Sequence, residues 1–257
     1  MKITRYVRYA AGGKTSYGML ENQTIYELHG DLFSGAAPTG KTTNVADVKL
    51  LAPCEPSKVL AVGRNYKSHI ADRGLEIPKE PGIFWKPSSC LIGTEENIII
   101  PEGAHNVHYE AELVLVIGKK GRNIPVADAS GYIFGITAGN DVSERDWQKN
   151  DLQWFRAKGS DTFGGLGPCI AQGLNYNDLL VQGRLNGEVV QSQRTKDLIF
   201  PVDTIVNYVS RYVTLVPGDI IYTGTPGTTK AMKSGDLIEI EVEGVGVLRN
   251  RIATGTV

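Results

Sequence analysis

Alternating apolar and polar positions along the first fifty residues predict short β-strands joined by turns. Residues 2–8, 15–20 and 24–28 each show the two-residue period of a strand with one buried face. The stretch 33–43 is rich in Gly, Ala, Pro and Thr, which is typical of a loop. Two prolines near residue 55 then indicate a linker. We therefore predict a small β-rich module over residues 1–55 and a larger domain over residues 56–257.

The larger domain continues the strand pattern with few helices. The predicted elements are strands at 58–62 and 131–138, a helix at 203–212, a tight turn at Asn186-Gly187 and a hairpin over 237–252. Ser143 and Asp146 have the spacing of a helix-capping box, which predicts a helix that begins near residue 143. Together with 30 glycines, these short elements predict a β-dominated α+β fold.

Composition narrows the class of protein. The chain has 257 residues, of which 41% are hydrophobic and 21% charged, as in ordinary globular proteins. The formal net charge of −1 argues against nucleic acid or an anionic membrane as a partner, and no apolar run is long enough to span a membrane. Three cysteines without CxxC spacing disfavour a disulfide framework and a cysteine zinc site, so we expect a cytoplasmic protein.

The segment HYEAELVLVI at residues 108–117 carries two carboxylates at the start of an apolar strand. Residues i and i+2 of a strand point to the same face, so Glu110 and Glu112 share a face with Val114 and Val116. Two like charges at this spacing repel each other, and burial makes each charge costlier. A water-facing edge or a bound cation would relieve the repulsion, and the apolar strand favours the cation.

A divalent cation would need a third oxygen ligand from another part of the chain. Asp141 is the best candidate, because it lies where an apolar strand gives way to a predicted helix. Three carboxylates suit Mg²⁺ or Mn²⁺. Zinc is a poorer choice, because there are only four histidines and none shows metal-ligand spacing beyond His105/His108. From spacing alone, a solvated Glu-x-Glu edge remains an alternative.

Six ordered motifs carry a family resemblance. They are VGRNYKSH (62–69), FWKPS (84–88), HYEAEL (108–113), NDVSERDWQ (140–148), RAKGSDTF (156–163) and YTGTP (222–226). Together they resemble the fumarylacetoacetate hydrolase superfamily, particularly its short branch of acylpyruvases, oxaloacetate decarboxylases and hydroxymuconate isomerases. The resemblance covers residue 58 to the C-terminus.

The resemblance implies a mixed β-sandwich roll, a homodimer, a small 2-oxo-acid substrate, and Mg²⁺ or Mn²⁺ held by Glu110, Glu112 and Asp141. A 2-oxo acid can chelate such an ion, which then stabilises the enolate formed as a bond to C3 breaks. Attack of water at a 4-keto group then gives C–C hydrolysis. Loss of CO₂ gives decarboxylation, and return of a proton at another carbon gives isomerisation.

The family positions also imply a general base. His69 and Asp72 are three residues apart and would face the same side of a short helix, where the carboxylate raises the basicity of the imidazole. The family has a His–Glu pair here that activates water, so the shorter Asp72 puts that step in doubt. The alternative is that Asp72 pairs with Arg73 or Lys67 in solvent.

The remaining predicted site residues follow from family positions. Lys158 could protonate or stabilise an enolate, although an ordinary surface lysine is the alternative. Arg145 could pair with a substrate carboxylate or form a salt bridge on the helix surface. The other residues that we assign to the pocket are Gln148, Lys86, Thr225 and Tyr66, with packing the stronger interpretation for Tyr66.

The sequence therefore predicts a metal-dependent hydrolase of 2,4-dioxo acids of the acylpyruvate or fumarylpyruvate type. Oxaloacetate decarboxylation and isomerisation of a hydroxymuconate-type diene diacid are the close alternatives. The predicted His69–Asp72 pair favours hydrolysis, because decarboxylation needs no activated water. A non-catalytic 2-oxo-acid binding protein is the alternative from a different class, although a binder would not need a base–carboxylate pair.

Overall fold

The computed structural model describes residues 2–68 and 76–255, and strands dominate them. The strands are β1 Thr4–Ala11, β2 Lys14–Glu21, β3 Thr24–His29, β4 Ala37–Asn44, β5 Lys49–Leu50, β6 Val59–Gly63, β7 Gly82–Lys86, β8 Leu91–Ile92, β9 Ile98–Ile100, β10 Val107–His108, β11 Ala111–Ile117, β12 Ile133–Asp141, β13 Ser143–Glu144, β14 Gly164–Gln172, β15 Leu180–Leu185, β16 Glu188–Arg194, β17 Ile220–Tyr222, β18 Leu237–Val242 and β19 Gly246–Thr254.

Helices are short and lie between the strands. The α-helices among the described residues are α1 Arg145–Asn150, α2 Phe155–Gly159 and α3 Val202–Tyr212. Short 3-10 helices occupy Leu32–Ser34, Val45–Asp47, Ser88–Cys90, Val126–Tyr132 and Thr195–Asp197. None of the helices in residues 2–68 and 76–255 has the length and apolarity needed to cross a bilayer.

A twelve-stranded mixed sheet forms the frame of the molecule, with the main order β4-β3-β2-β1-β14-β12-β11-β17-β6-β7. Most neighbours are antiparallel, while β17 pairs with β6 and β14 with β8 in parallel. A second sheet of five strands, β16-β15-β18-β19-β9, packs across β11, β12 and β14. The predicted β-dominated α+β sandwich is therefore confirmed.

Strand β11 is buried on both faces, and its alternation places the two faces in different cores. Leu113, Leu115 and Ile117 point into the core between the two sheets, with Ile238 and Ile240 of β18. Val114 and Val116 point into a second core on the opposite face of the large sheet, with Val59 and Ile220 among its members. All seven residues of β11 are therefore buried, and Glu112 is the one polar residue among them.

Several local predictions can be compared with the structure. Asn186 and Gly187 both have positive φ, 52° and 84°, as a type I′ hairpin turn between β15 and β16 requires. The prediction of a loop over residues 33–43 is wrong in part, because β4 begins at Ala37 and pairs with β3. This strand lies at the edge of the sheet with exposed side chains, so backbone pairing forms it without an apolar pattern.

The prediction that Ser143 caps a helix is also wrong. Helix α1 begins at Arg145, and its capping residue is Glu144, whose carboxylate accepts a hydrogen bond from the Trp147 N–H at 2.5 Å. The Ser143 hydroxyl instead donates to the Asp141 carbonyl at 2.9 Å. The three cysteines, at positions 54, 90 and 169, are buried and unbridged.

Candidate active site

Three buried carboxylates meet where β11 and β12 lie side by side. Glu110 immediately precedes β11, Glu112 is its second residue, and Asp141 is the last residue of β12. Pairing of Ala111 with Asn140 brings these strand ends together. One carboxylate oxygen from each of the three side chains lies within 4.8 Å of the others. All three residues are at most 4% exposed, so the alternative of a solvated edge is wrong.

Two of the cationic side chains that bind the carboxylates are Lys158 and Arg145. The Lys158 ammonium donates to Glu110 Oε2 at 2.6 Å and to Asp141 Oδ2 at 2.7 Å. The Arg145 guanidinium donates to Glu110 Oε1 at 2.6 Å and to the Gln148 side-chain oxygen at 2.9 Å. Both cations are buried, so a surface lysine and a salt bridge on the helix surface are wrong as interpretations of Lys158 and Arg145.

A third cation, Lys86, lies behind the carboxylates. Its ammonium donates to Asp141 Oδ1 at 2.7 Å, to the Phe163 carbonyl at 3.2 Å and to the Lys158 carbonyl. Burial is the largest influence on the pKa of Lys86 and lowers it, but the charge and hydrogen bond of Asp141, together with Cys90 and Glu110, more than offset this effect, and the pKa is raised overall. Lys86 does not line the cavity above the carboxylates, whereas the sequence prediction assigned it to the substrate pocket.

Glu112 is the carboxylate with the least charge compensation. One of its oxygens accepts the Gly224 N–H at 2.6 Å. Burial raises its pKa well above the usual range, and the charges of Asp141 and Glu110 raise it further, against a lowering by Lys158. Gly224 has φ +107°, a conformation that side-chain-bearing residues rarely adopt, and this lets its N–H approach the carboxylate closely.

The donor set fits the divalent ion that the sequence predicts. Three carboxylates within reach of one another are the hard oxygen ligands that Mg²⁺ and Mn²⁺ prefer. Glu112 is buried and faces the two other carboxylates, and this raises its pKa. A bound cation would stabilise the charged form of such a carboxylate. Glu110, Glu112 and Asp141 are therefore the residues that would hold the ion.

A cavity of about 650 Å³ opens above the carboxylates. Its lining includes the predicted residues Gln148, Arg145, Lys158 and Thr225, together with Arg64, Phe84, His108 and Trp154. The Phe84 and Trp154 rings meet edge to face at 5.1 Å, and the Lys158 ammonium lies 5.2 Å from the centre of the Phe84 ring. The cavity therefore combines a charged floor with an aromatic wall.

The remaining predicted residues lie apart from this cavity or outside the described part of the chain. Tyr66 is fully buried and absent from the cavity lining, and its hydroxyl has no hydrogen-bond partner in the described part of the chain. The predicted general base His69 and its partner Asp72 lie outside the described residues, and their pairing stays a prediction.

Sequence reasoning did not find the polar contacts that support Arg145. The Thr229 hydroxyl accepts a hydrogen bond from Arg145 Nη2 at 2.9 Å and lies 2.8 Å from His108 Nδ1. Asn106 Oδ1 lies 2.7 Å from the other nitrogen of this ring. The two-residue period of the strand was a signal for His108, since it places this residue on the face of Glu110, but Thr229 has no pattern around it.

The comparisons with known proteins agree with this geometry. The family profile described as fumarylacetoacetate (FAA) hydrolase C-terminal matches residues 58–253, and the profile described as Rv2993c-like, N-terminal matches residues 4–53. The mitochondrial oxaloacetate tautomerase FAHD2A of Bos taurus is 41% identical over 220 residues, which are 80% of this chain and 70% of that protein.

Solved structures are similar along almost the whole chain. The 5-carboxymethyl-2-hydroxymuconate delta-isomerase of Mycobacterium smegmatis has a TM-score of 0.92 and 40% identity, covering 98% of this chain and 100% of the other. The maleylpyruvate hydrolase of Sphingobium sp. SYK-6, solved with manganese(II) and pyruvate, has a TM-score of 0.82, 26% identity and the same coverage. The resemblance seen in the sequence motifs is thereby confirmed, and the chain belongs to the fumarylacetoacetate hydrolase family.

Proposed function

We propose that this protein catalyses proton transfer at the carbon next to the keto group of a small 2-oxo acid, interconverting its keto and enol forms. The observation that carries the proposal is the Lys158 ammonium on the floor of the cavity, 2.6 Å from Glu110 and 2.7 Å from Asp141. A family relative at 41% identity is named an oxaloacetate tautomerase, and a similar structure is named an isomerase.

Mg²⁺ or Mn²⁺, when bound by the three carboxylates, would supply Lewis acidity that makes the C3 hydrogen of a 2-oxo acid more acidic. Lys158 holds a proton at Nζ on the same floor. In the enol-to-keto direction, the ammonium gives this proton to C3, while the enol hydroxyl loses its own proton and restores the ammonium. The reverse direction passes through the same atoms, so no net proton is taken up.

Arg145 and Thr225 are the residues that we propose bind and orient the substrate. Both line the cavity. A guanidinium suits a substrate carboxylate, because its N–H groups can form paired hydrogen bonds with the two carboxylate oxygens. Gln148 accepts from Arg145 and keeps its amide N–H groups for a keto or carboxylate oxygen. The Phe84–Trp154 pair forms an apolar wall of the cavity beside Lys158.

Hydrolysis of the C–C bond of a 2,4-dioxo acid is the second candidate. It is supported by the structural similarity to the maleylpyruvate hydrolase, at a lower identity of 26%. This reaction needs an activated water, for which the predicted residues are His69 and Asp72. Decarboxylation of oxaloacetate shares the enolate but needs no such base.

One NMR experiment separates these reactions. The protein is incubated with Mg²⁺ or Mn²⁺ in D₂O and offered oxaloacetate, acetylpyruvate, fumarylpyruvate and a hydroxymuconate analogue. We expect accelerated keto–enol interconversion and deuterium uptake at C3, with Lys158→Met at least about 100-fold slower, as for removal of a general acid. Lys120→Met, which changes an exposed lysine, serves as the control.

Other outcomes of that experiment would replace the proposal. Cleavage of acetylpyruvate or fumarylpyruvate without faster exchange at C3 of oxaloacetate would identify a hydrolase. Release of CO₂ from oxaloacetate as the main product would identify a decarboxylase. Metal-dependent binding without any turnover would leave a 2-oxo-acid binding protein.

We also propose that the protein is a cytoplasmic homodimer. The buried, unbridged state of Cys54, Cys90 and Cys169 is compatible with a reducing compartment. Light scattering coupled to size-exclusion chromatography tests the assembly, because the chain mass is 27.9 kDa and a dimer has twice that value. A mass of one chain at micromolar concentration would contradict the dimer.

A further inference from the structure

We propose that Lys86 is a positioning residue that acts on the reaction through Lys158 and Asp141, without touching the substrate. The proposed effect on catalysis rests on the proton transfer assigned above to Lys158. Lys86 lies at the end of β7, at the edge of the large sheet, yet its side chain is fully enclosed beneath the carboxylates.

The contacts of Lys86 form a closed ring with Lys158 and Asp141. The Lys86 ammonium donates to the main-chain carbonyl of Lys158 and to Asp141 Oδ1, at 2.7 Å from the latter. The Lys158 ammonium donates to the other oxygen of the same carboxylate, Oδ2, at 2.7 Å. Lys86 therefore holds both ends of Lys158: its backbone directly, and its ammonium through the carboxylate.

All three hydrogen atoms of the Lys86 ammonium can be used in hydrogen bonds to the protein. Two acceptors are those of the ring, and the third is the Phe163 carbonyl at 3.2 Å. A substrate oxygen could bind Lys86 only by displacing one of these acceptors, and the side chain does not reach the cavity. Substrate binding by Lys86 is thus unsupported by its geometry.

Packing alone does not explain a lysine at this position. Burying an ammonium is costly unless every donor is satisfied, and an apolar side chain of similar size would fill the same space without that cost. What an apolar residue cannot do is hold Asp141 Oδ1 and the Lys158 carbonyl at once. The side chain of Lys158 would have many rotamers if it were free. Because Lys86 holds its backbone carbonyl and, through Asp141, its ammonium, the ammonium is confined to one position.

The test compares Lys86→Met with a matched control, Lys58→Met. Lys58 also binds a fully buried carboxylate, that of Asp219, at 2.7 Å, but the pair lies before β6 and β17 and away from the cavity lining. Both variants lose one ammonium–carboxylate bond, so both are expected to lose stability in thermal unfolding. Only Lys86→Met is expected to lower kcat, by about 10–100-fold with KM changed less than threefold, as when a supporting hydrogen bond behind a site residue is removed.

A second readout does not depend on activity. ¹⁵N NMR of lysine ammonium groups detects those whose protons exchange slowly with water, and we expect signals from Lys86 and Lys158 in the metal-free wild type. Lys158→Met assigns its signal by removing it. In Lys86→Met the Lys158 signal is expected to broaden or shift, whereas Lys58→Met leaves it unchanged.

Each outcome decides the proposal. An unchanged Lys158 signal in a folded Lys86→Met protein would overturn it, as would equal kcat losses in Lys86→Met and Lys58→Met. If Lys86→Met does not fold, the wild-type spectrum decides: a Lys158 ammonium that exchanges as fast as exposed lysines contradicts the ring. Should the protein catalyse a reaction other than proton transfer, the kcat comparison uses that reaction, and the NMR result stands by itself.

Discussion

At the scale of single residues, the site is a cluster of charges held together against mutual repulsion. Glu110 and Asp141 each have both oxygens bound by cationic side chains, whereas Glu112 receives one backbone N–H. The pKa of Glu112 is raised by burial and by its two acidic neighbours. This carboxylate is therefore the most destabilising member of the cluster whenever the ion is absent.

Glu112→Gln is expected to stabilise the metal-free protein and to abolish tight Mn²⁺ binding. A glutamine keeps the size of the side chain and an oxygen acceptor for the Gly224 N–H, but it removes the buried charge. The gain is about 1 kcal/mol or more, or about 2–4 °C in Tm for a chain of this size. Differential scanning calorimetry and titration calorimetry with Mn²⁺ measure the two effects.

The pH dependence of that gain follows from the raised pKa. The carboxyl group of Glu112 binds its proton more tightly in the folded protein than in the unfolded chain. This stabilises the folded state fully below the unfolded pKa of about 4.3, and the contribution is lost as the pH rises through the pKa of the folded state. The Tm difference between Glu112→Gln and wild type should hence grow from pH 5 to pH 9. A metal-free variant less stable than wild type throughout this range would contradict the assignment.

Gly224 and Gly227 provide a matched pair in one loop. A Cβ at Gly224 would lie 2.7 Å from the Asn65 Cβ, and its φ is +107°. Asn65 cannot yield easily, because its amide donates to the Thr223 and Phe200 carbonyls. Gly224→Ala should cost about 3 kcal/mol and weaken Mn²⁺ binding through Glu112.

Gly227→Ala is the control for that loop. Its φ of +60° lies in the left-handed helical region, and no atom of residues 2–68 and 76–255 lies within 4 Å of a Cβ built there. This substitution should cost only about 1–2 kcal/mol and leave Mn²⁺ affinity unchanged. Equal losses of stability in urea for the two variants would show that the close approach at Gly224 has no special role.

At the scale of elements, Glu144 fixes the helix that begins with Arg145. The buried carboxylate of Glu144 accepts from the Trp147 N–H at 2.5 Å and the Asn106 N–H at 2.8 Å, and so joins α1 to the segment before β10. Glu144→Ala leaves these donors without an acceptor and should cost about 2–3 kcal/mol in urea unfolding. Glu144→Gln keeps one acceptor, so its stability should lie between those of the wild type and Glu144→Ala. A loss below about 0.5 kcal/mol in the alanine variant would contradict this role.

The same elements indicate how far the sequence could predict the site. Charge spacing selected Glu110 and Glu112, because strand period and repulsion are local properties, and the end of an apolar strand selected Asp141. The motif FWKPS drew attention to Lys86 but could not show which way its side chain points, since that depends on how β7 lies against α2. Strand β4 has no apolar pattern, and only its backbone pairing with β3 defines it.

At the scale of the whole molecule, the first four strands extend the main sheet. β1 pairs with β14 next to β12, and Val7 and Ile25 belong to the core between the two sheets. Leu28 and Leu32 join the second core together with Val59 and Ala61. The proposed boundary near residue 55 is therefore crossed by hydrogen bonds and by apolar packing.

Removal of residues 1–53 is expected to prevent folding of the remainder. It would expose the edge of β14 and apolar surface in both cores, which favours aggregation. The fragment 54–257 should lack a cooperative thermal transition and elute as an aggregate, while the full chain unfolds in one step. A monodisperse fragment with a sharp transition would show that the larger domain folds independently.

The double burial of β11 has a consequence for the fidelity of folding. A slip of one residue against β12 would turn every side chain to the opposite face, placing the leucines of β11 in the core that holds Val114 and Val116 and directing Glu112 between the sheets. Because both faces are packed, such a mispaired chain would lose apolar contacts on two sides at once. The geometry of the carboxylates is thus selected during folding by side chains that never meet the substrate.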